Sequence, residues 1–151
     1  MSSITFDDSH WPLLLLRFEG TPTSEQLEAY LARRLEYLRR QQRHGIVYDT
    51  LQTRLITSEI RQRHTAWSRE HRAARLRFTV GNALVMTSPF MRLTMNLVLS
   101  LGGEKVPYSV AATVPEAALW IANRLHDAGD VEPAERLRRH FEPLAHPPRS
   151  G

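Results

Sequence analysis

The sequence predicts a single α/β domain with a mixed, mainly parallel sheet, and three observations carry that prediction. Short apolar runs alternate with longer segments of helical period along most of the chain. Helix-capping sequences stand at the start of several of those segments. The first two runs are close enough to form an antiparallel hairpin, and the later ones are separated by helix-length stretches.

The elements follow in order. Ile4-Thr5-Phe6 alternates, Asp7-Asp8-Ser9-His10 has turn chemistry, and Leu13 to Phe18 reads as the second strand of an opening hairpin. Gly20 and Pro22 end it. Thr23-Ser24-Glu25-Gln26 is a capping box, and the helix it opens places Leu27, Tyr30, Leu31, Leu35 and Leu38 on one face with arginines opposite. Ile46-Val47-Tyr48 is a short strand ending at Asp49, followed by a polar loop from Thr50 to Thr57. Thr57 or Ser58 caps one helix striped by Ile60, His64, Trp67, His71 and Ala74. Asn82 to Met86 is a further strand. Thr87-Ser88-Pro89 then starts an apolar helix that runs to Gly102-Gly103. Tyr108 to Ala112 is the last strand. Thr113-Val114-Pro115-Glu116 caps a helix that buries Ala117, Leu119 or Trp120, Ile121 and Leu125. Residues 1–128 therefore read as the domain. Residues 129–151 read as a charged, proline-containing tail, helical over part of its length.

Composition bounds the function classes. The 151 residues are 42% hydrophobic and 24% charged, which is globular and long enough for one core. With no cysteine, disulfide scaffolds, thiol nucleophiles and thiolate metal sites are all excluded. No apolar run nears the roughly 18 residues of a membrane span, and Met1 to Thr5 carries no basic leader, which sets the expectation of a cytoplasmic protein that is not integral to a membrane. The formal net charge is +4, but from Arg33 to Arg77 twelve arginines face only Glu36, Asp49, Glu59 and Glu70. Arg33, Arg34, Arg40, Arg61, Arg69 and Arg72 are expected to form a basic surface there. It reads as a solvated face or as a contact for an acidic protein or anionic membrane. Nucleic acid ranks last, because no recognised binding motif or interleaved exposed aromatic accompanies the arginines.

The strand Gly45-Ile46-Val47-Tyr48-Asp49 with its polar loop, and the ending Val110 to Trp120 with its capped Glu116-Ala117-Ala118-Leu119-Trp120, resemble the STAS superfamily. The likeness is to its SpoIIAA-like (STAS/SEC14-type) branch, covers about residues 4–126, and implies a bacterial regulatory domain of that fold. Anti-sigma factor antagonists of the family carry an Asp-Ser-Ser/Thr-Gly motif with a phosphorylated hydroxyl. The corresponding Asp49-Thr50-Leu51-Gln52-Thr53 departs from it in having no glycine.

Sites follow from the same residues. His64 and His71 are two turns apart, about 10.5 Å along a helix, which is too far for one metal ion. No metal site or cofactor is expected. With Trp67 and Asp49 they read either as a ligand groove or as a partly buried helix face. Neither a nucleophile elbow nor a phosphate-binding glycine loop occurs. In the helix from Pro89, the positions Phe90, Leu93, Leu97 and Leu101 make an expected core stripe, while Met91, Met95 and Leu99 add a second apolar edge. That edge is the expected interface with a second copy, giving a homodimer, or with another protein; the chain's own tail, or a lipid or small apolar ligand, are the other coverings it allows. The leading function is thus a non-enzymatic interaction or regulatory module. An apolar-ligand or lipid-binding module is the alternative, and an enzyme using Asp49 with His64 or His71 is the third.

Overall fold

The computed structural model describes residues 1–93 and 106–147. Among these, five strands form one sheet in the order β1 (Ser3–Asp7), β2 (Leu13–Gly20), β3 (His44–Thr53), β4 (Thr79–Val85) and β5 (Tyr108–Ala111). The hairpin β1–β2 is antiparallel, and every later pairing is parallel. This is the mixed, mainly parallel sheet that the alternation predicts. The helices are α1 (Ser24–Arg39), α2 (Ser58–Glu70), α3 (Arg72–Phe78), α4 (Val114–Asp127) and α5 (Val131–Ala145), and residues 89–93 are also helical.

Local chemistry sets the helix starts. Thr23 Oγ1 accepts from the Gln26 amide at 3.1 Å while Gln26 Oε1 accepts from the Thr23 amide at 3.0 Å, a complete capping box. Thr57 and Thr113 likewise accept from the amides of Ile60 and Glu116. The single helix expected from Thr57 is in fact two. It breaks at His71, whose φ of −105° and ψ of 24° leave the helical region. The break leaves the Ser68 carbonyl to be taken by Arg75 Nη1 at 3.2 Å, so the end of α2 is satisfied by a side chain.

Because side chains alternate along a strand, the sheet has two separate cores. Leu14, Leu16 and Ile46 face α1 and α2, with Leu27, Tyr30, Leu31, Ile60 and Trp67. Leu13, Leu15, Val47, Ala83 and Val85 face α4 and α5, with Ala118, Ile121, Leu125, Leu137 and Phe141. Two glycines let α4 approach closely. A Cβ on Gly45 would overlap Ile121 Cγ2, and one on Gly81 would lie 2.7 Å from Trp120 Cζ3. The segment expected as a tail supplies α5, which buries Ala134, Leu137 and Phe141 in the same core as α4. Their spacing of three and four makes one apolar stripe, enough to seat a helix otherwise rich in charge. Arg43 grips Asp130 through two hydrogen bonds of 2.9 and 2.7 Å and anchors its start.

β3 also differs from expectation. It does not end at Asp49 but continues to Thr53, because β2 goes on pairing with it after a bulge between Arg17 and Glu19. Its ladder with β4 does stop at Asp49, opposite Val85.

Candidate functional site

His64, Trp67 and His71 come together on the inner side of α2, while Asp49 does not join them. Ile46 packs in the α1/α2 core and Val47 in the α4/α5 core, so by alternation Asp49 points to the α4/α5 face. The sheet lies between it and both histidines. Asp49 is buried, and Arg17 Nε donates to its Oδ2 at 3.0 Å while the Leu51 amide donates to Oδ1 at 3.1 Å. A residue with both oxygens so held anchors two strands and the chain beyond its own position. The expected groove of Asp49 with His64, Trp67 and His71 is therefore corrected to two unrelated sites.

The histidine side of the sheet holds the larger surprise. Arg34, expected on the basic surface, is only 3% exposed. It falls on the buried stripe of α1, four residues after Tyr30 and four before Leu38, and stripe membership rather than charge decides its position. Its guanidinium carbon lies 4.9 Å from the Trp67 ring centroid, 5.8 Å from that of Tyr48 and 5.9 Å from that of Tyr30. Arg34 Nη1 donates to the Tyr30 hydroxyl at 3.4 Å, and that hydroxyl meets His64 Nε2 at 3.2 Å. The other ring nitrogen, His64 Nδ1, faces Ser68 Oγ at 3.4 Å. Burial, with the charges of Arg34 and Arg75, pulls the His64 pKa down to about 3. Burial pushes the Tyr30 hydroxyl in the opposite direction, well above its usual range. Both groups are held neutral around a caged cation. The aromatic faces of this cluster pack against one another.

Of the other expected basic residues, Arg33, Arg40, Arg61, Arg69 and Arg72 are exposed. Arg33 covers the Phe6 ring at 4.7 Å. Arg40 lies over Trp11 and Tyr37 at 4.7 and 4.5 Å and is 3.6 Å from Asp8. Arg61 and Arg69 line one shallow pocket on the outer side of α2. Among the described residues no group of three or more His, Asp or Glu is placed to hold a metal ion, and no helix is long and apolar enough to cross a membrane.

The apolar surface lies elsewhere. Phe90 and Leu93, expected in the core stripe, are 75% and 70% exposed, and Met91 is 46% exposed. The physical reason is that a stripe names the apolar positions of a helix and leaves open which of them meets the sheet. Met95 and Leu99 lie outside the described residues. Leu51 and Leu55 are 41% and 61% exposed. Leu51 and Leu55 occupy the end of β3 and the loop after it, and residues 90–93 follow the end of β4. Since β3 and β4 run parallel, all five side chains stand at the same end of the sheet. That is the end at which α/β sheets present their binding loops.

No family model matches this sequence, and no curated protein does. Several solved structures resemble it, and two of them bear on the fold. One is an uncharacterized protein of the DUF3478 family with a SpoIIAA-like fold from Shewanella loihica PV-4. It is 10% identical, with a TM-score of 0.65 over 80% of this chain and 95% of that one. The other is the anti-sigma factor antagonist SpoIIAA in its unphosphorylated form, 16% identical, with a TM-score of 0.53 over 76% of this chain and 94% of that one. With the strand order and the mixed pairing, these likenesses make the fold of this domain SpoIIAA-like.

Proposed function

We propose that the chain is a non-enzymatic regulatory module that binds protein through the apolar surface at the C-terminal end of its parallel strands. One observation carries this reading: Leu51, Leu55, Phe90, Met91 and Leu93 are all exposed at that end. Large apolar side chains left in water together mark association sites on globular domains. The separation of Asp49 from His64 and His71 supports a binding role over catalysis, since no nucleophile–base pair forms between them. The interface expected from the sequence also includes Met95 and Leu99, at spacings of four from Met91, and the proposal keeps them as its candidates. The most economical partner is a second copy that offers the same edge across a two-fold axis.

Sedimentation velocity of wild type, Met91→Glu and Met95→Glu, alongside circular dichroism, tests this. The wild type is expected to self-associate, and both variants to run as folded monomers, because a carboxylate in a desolvated contact is costly, and Met91, 46% exposed, does not belong to the core. A wild type that stays monomeric at every concentration, or variants that unfold, overturns the proposal.

A further inference from the structure

At the opposite end of the sheet, a groove of about 710 Å³ lies where the strands β2, β3 and β4 begin. Four segments build it: the β1–β2 connection at Trp11, the approach to β3 at Gln42 and Arg43, the end of α3 at Arg77, and the start of α5 from Asp130 to Arg136. Three guanidinium groups therefore line it, against one carboxylate.

That carboxylate is already taken. Arg43 binds both oxygens of Asp130, which cancels the pair. The other two arginines keep their charge for the groove. Arg136 Nη2 donates to the Trp11 carbonyl at 3.0 Å, and Arg77 rests 5.2 Å from the Phe78 ring centroid. Among the described residues neither has an acidic partner within ion-pair distance. Trp11, which lines the same groove, is held by several contacts. Trp11 stacks on Tyr37 and His44 with ring centroids 5.4 and 5.1 Å apart, carries Arg40 at 4.7 Å, and donates from Nε1 to Gln42 at 3.0 Å.

These features select among anions. With Trp11 already stacked and the Phe78 ring carrying Arg77, a nucleobase has to displace an existing contact to stack, which disfavours single-stranded nucleic acid. The groove is open rather than enclosed, so a small anion would stay largely hydrated and weakly held. An extended chain bearing carboxylates suits an open groove, because it can reach two separated guanidinium forks, and each fork matches a carboxylate. We propose that this groove binds an acidic peptide segment of a partner protein, with Arg77 and Arg136 receiving its carboxylates. The site is independent of the apolar surface at the far end of the sheet.

Fluorescence anisotropy with a labelled oligoglutamate peptide tests it. Wild type is expected to bind, with affinity falling as salt is added. Arg77→Glu is expected to weaken binding about tenfold, equivalent to ~1.4 kcal/mol. Arg61→Glu, on the outer side of α2, and Met91→Glu, at the other end of the sheet, should bind as wild type does. Arg136→Gln also loses the contact with the Trp11 carbonyl, so its result counts only with an unchanged urea unfolding curve, and Arg77→Glu carries the decision. Absence of peptide binding overturns the proposal, and so does an Arg61→Glu loss equal to that of Arg77→Glu, which would mark diffuse attraction to a basic protein. Tighter binding of labelled oligothymidylate, or of phosphatidylserine vesicles, would reassign the groove to nucleic acid or membrane.

Discussion

Adding one methyl group at Gly45 should reverse its effect on stability according to what stands at position 121. Gly45 is buried in β3, and the three atoms nearest to a Cβ built there all belong to Ile121: Cγ2 in overlap, Cδ1 at 2.8 Å and Cβ at 3.4 Å. Ile121 is fully buried and branched at Cβ, so it has no free rotamer into which to retreat. Gly45→Ala in the wild type should therefore cost about 1–3 kcal/mol, as overpacking of a dense core does. Ile121→Ala by itself should cost about 2–5 kcal/mol through lost burial and a residual cavity. The double variant removes both clashing atoms and keeps the 3.4 Å contact with Cβ, which is ordinary packing. There the added methyl fills part of the cavity and stiffens the unfolded chain, so Gly45→Ala should gain up to about 1 kcal/mol. Urea unfolding of the four proteins measures the cycle. Equal costs of Gly45→Ala in both backgrounds would refute the reasoning, because the strain would then lie in the backbone of β3 rather than in Ile121.

Two further outcomes follow from the core. The folded His64 pKa of about 3 lies below its unfolded value near 6.5, so the unfolded chain binds more protons between these values. Stability is then complete above about pH 6.5 and falls as pH drops toward 3; chemical denaturation across that range should show a slope that His64→Gln flattens, and an unaltered slope would place the acid sensitivity elsewhere, with His44, depressed to about 4, the next group to replace. Trp120 is partly buried over Gly81, so Trp120→Ala should cost about 3 kcal/mol, at the lower end for an emptied aromatic site, and a loss under ~1 kcal/mol in urea would show that its ring contributes little to the α4–sheet contact.

Much of this domain could be read from the chain because the signals are local. A threonine whose hydroxyl reaches an amide three residues on caps a helix wherever the helix goes, and Thr23, Thr57 and Thr113 all do so. The opening hairpin and the parallel sheet followed from run lengths and connection lengths, which limit how strands can pair. What needed the tertiary structure is whatever depends on a distant partner. β3 outlasts its apolar run because β2, 32 residues away at the Leu13–Gly45 pair, continues to offer hydrogen bonds. Asp49 and the two histidines look like neighbours in sequence, yet pleat parity and the placement of α2 put the sheet between them. Arg34 was legible as a stripe position, but its charge argued for the surface until Tyr30, Tyr48 and Trp67 supplied a cage. The groove at Arg77 and Arg136 had no signal at all, since its walls come from four separate segments and only the packing of α5 against α4 closes them. Caps and periods are properties of adjacent residues, and a sequence states them directly. Burial, register and shared sites belong to residues that meet only once the sheet has formed.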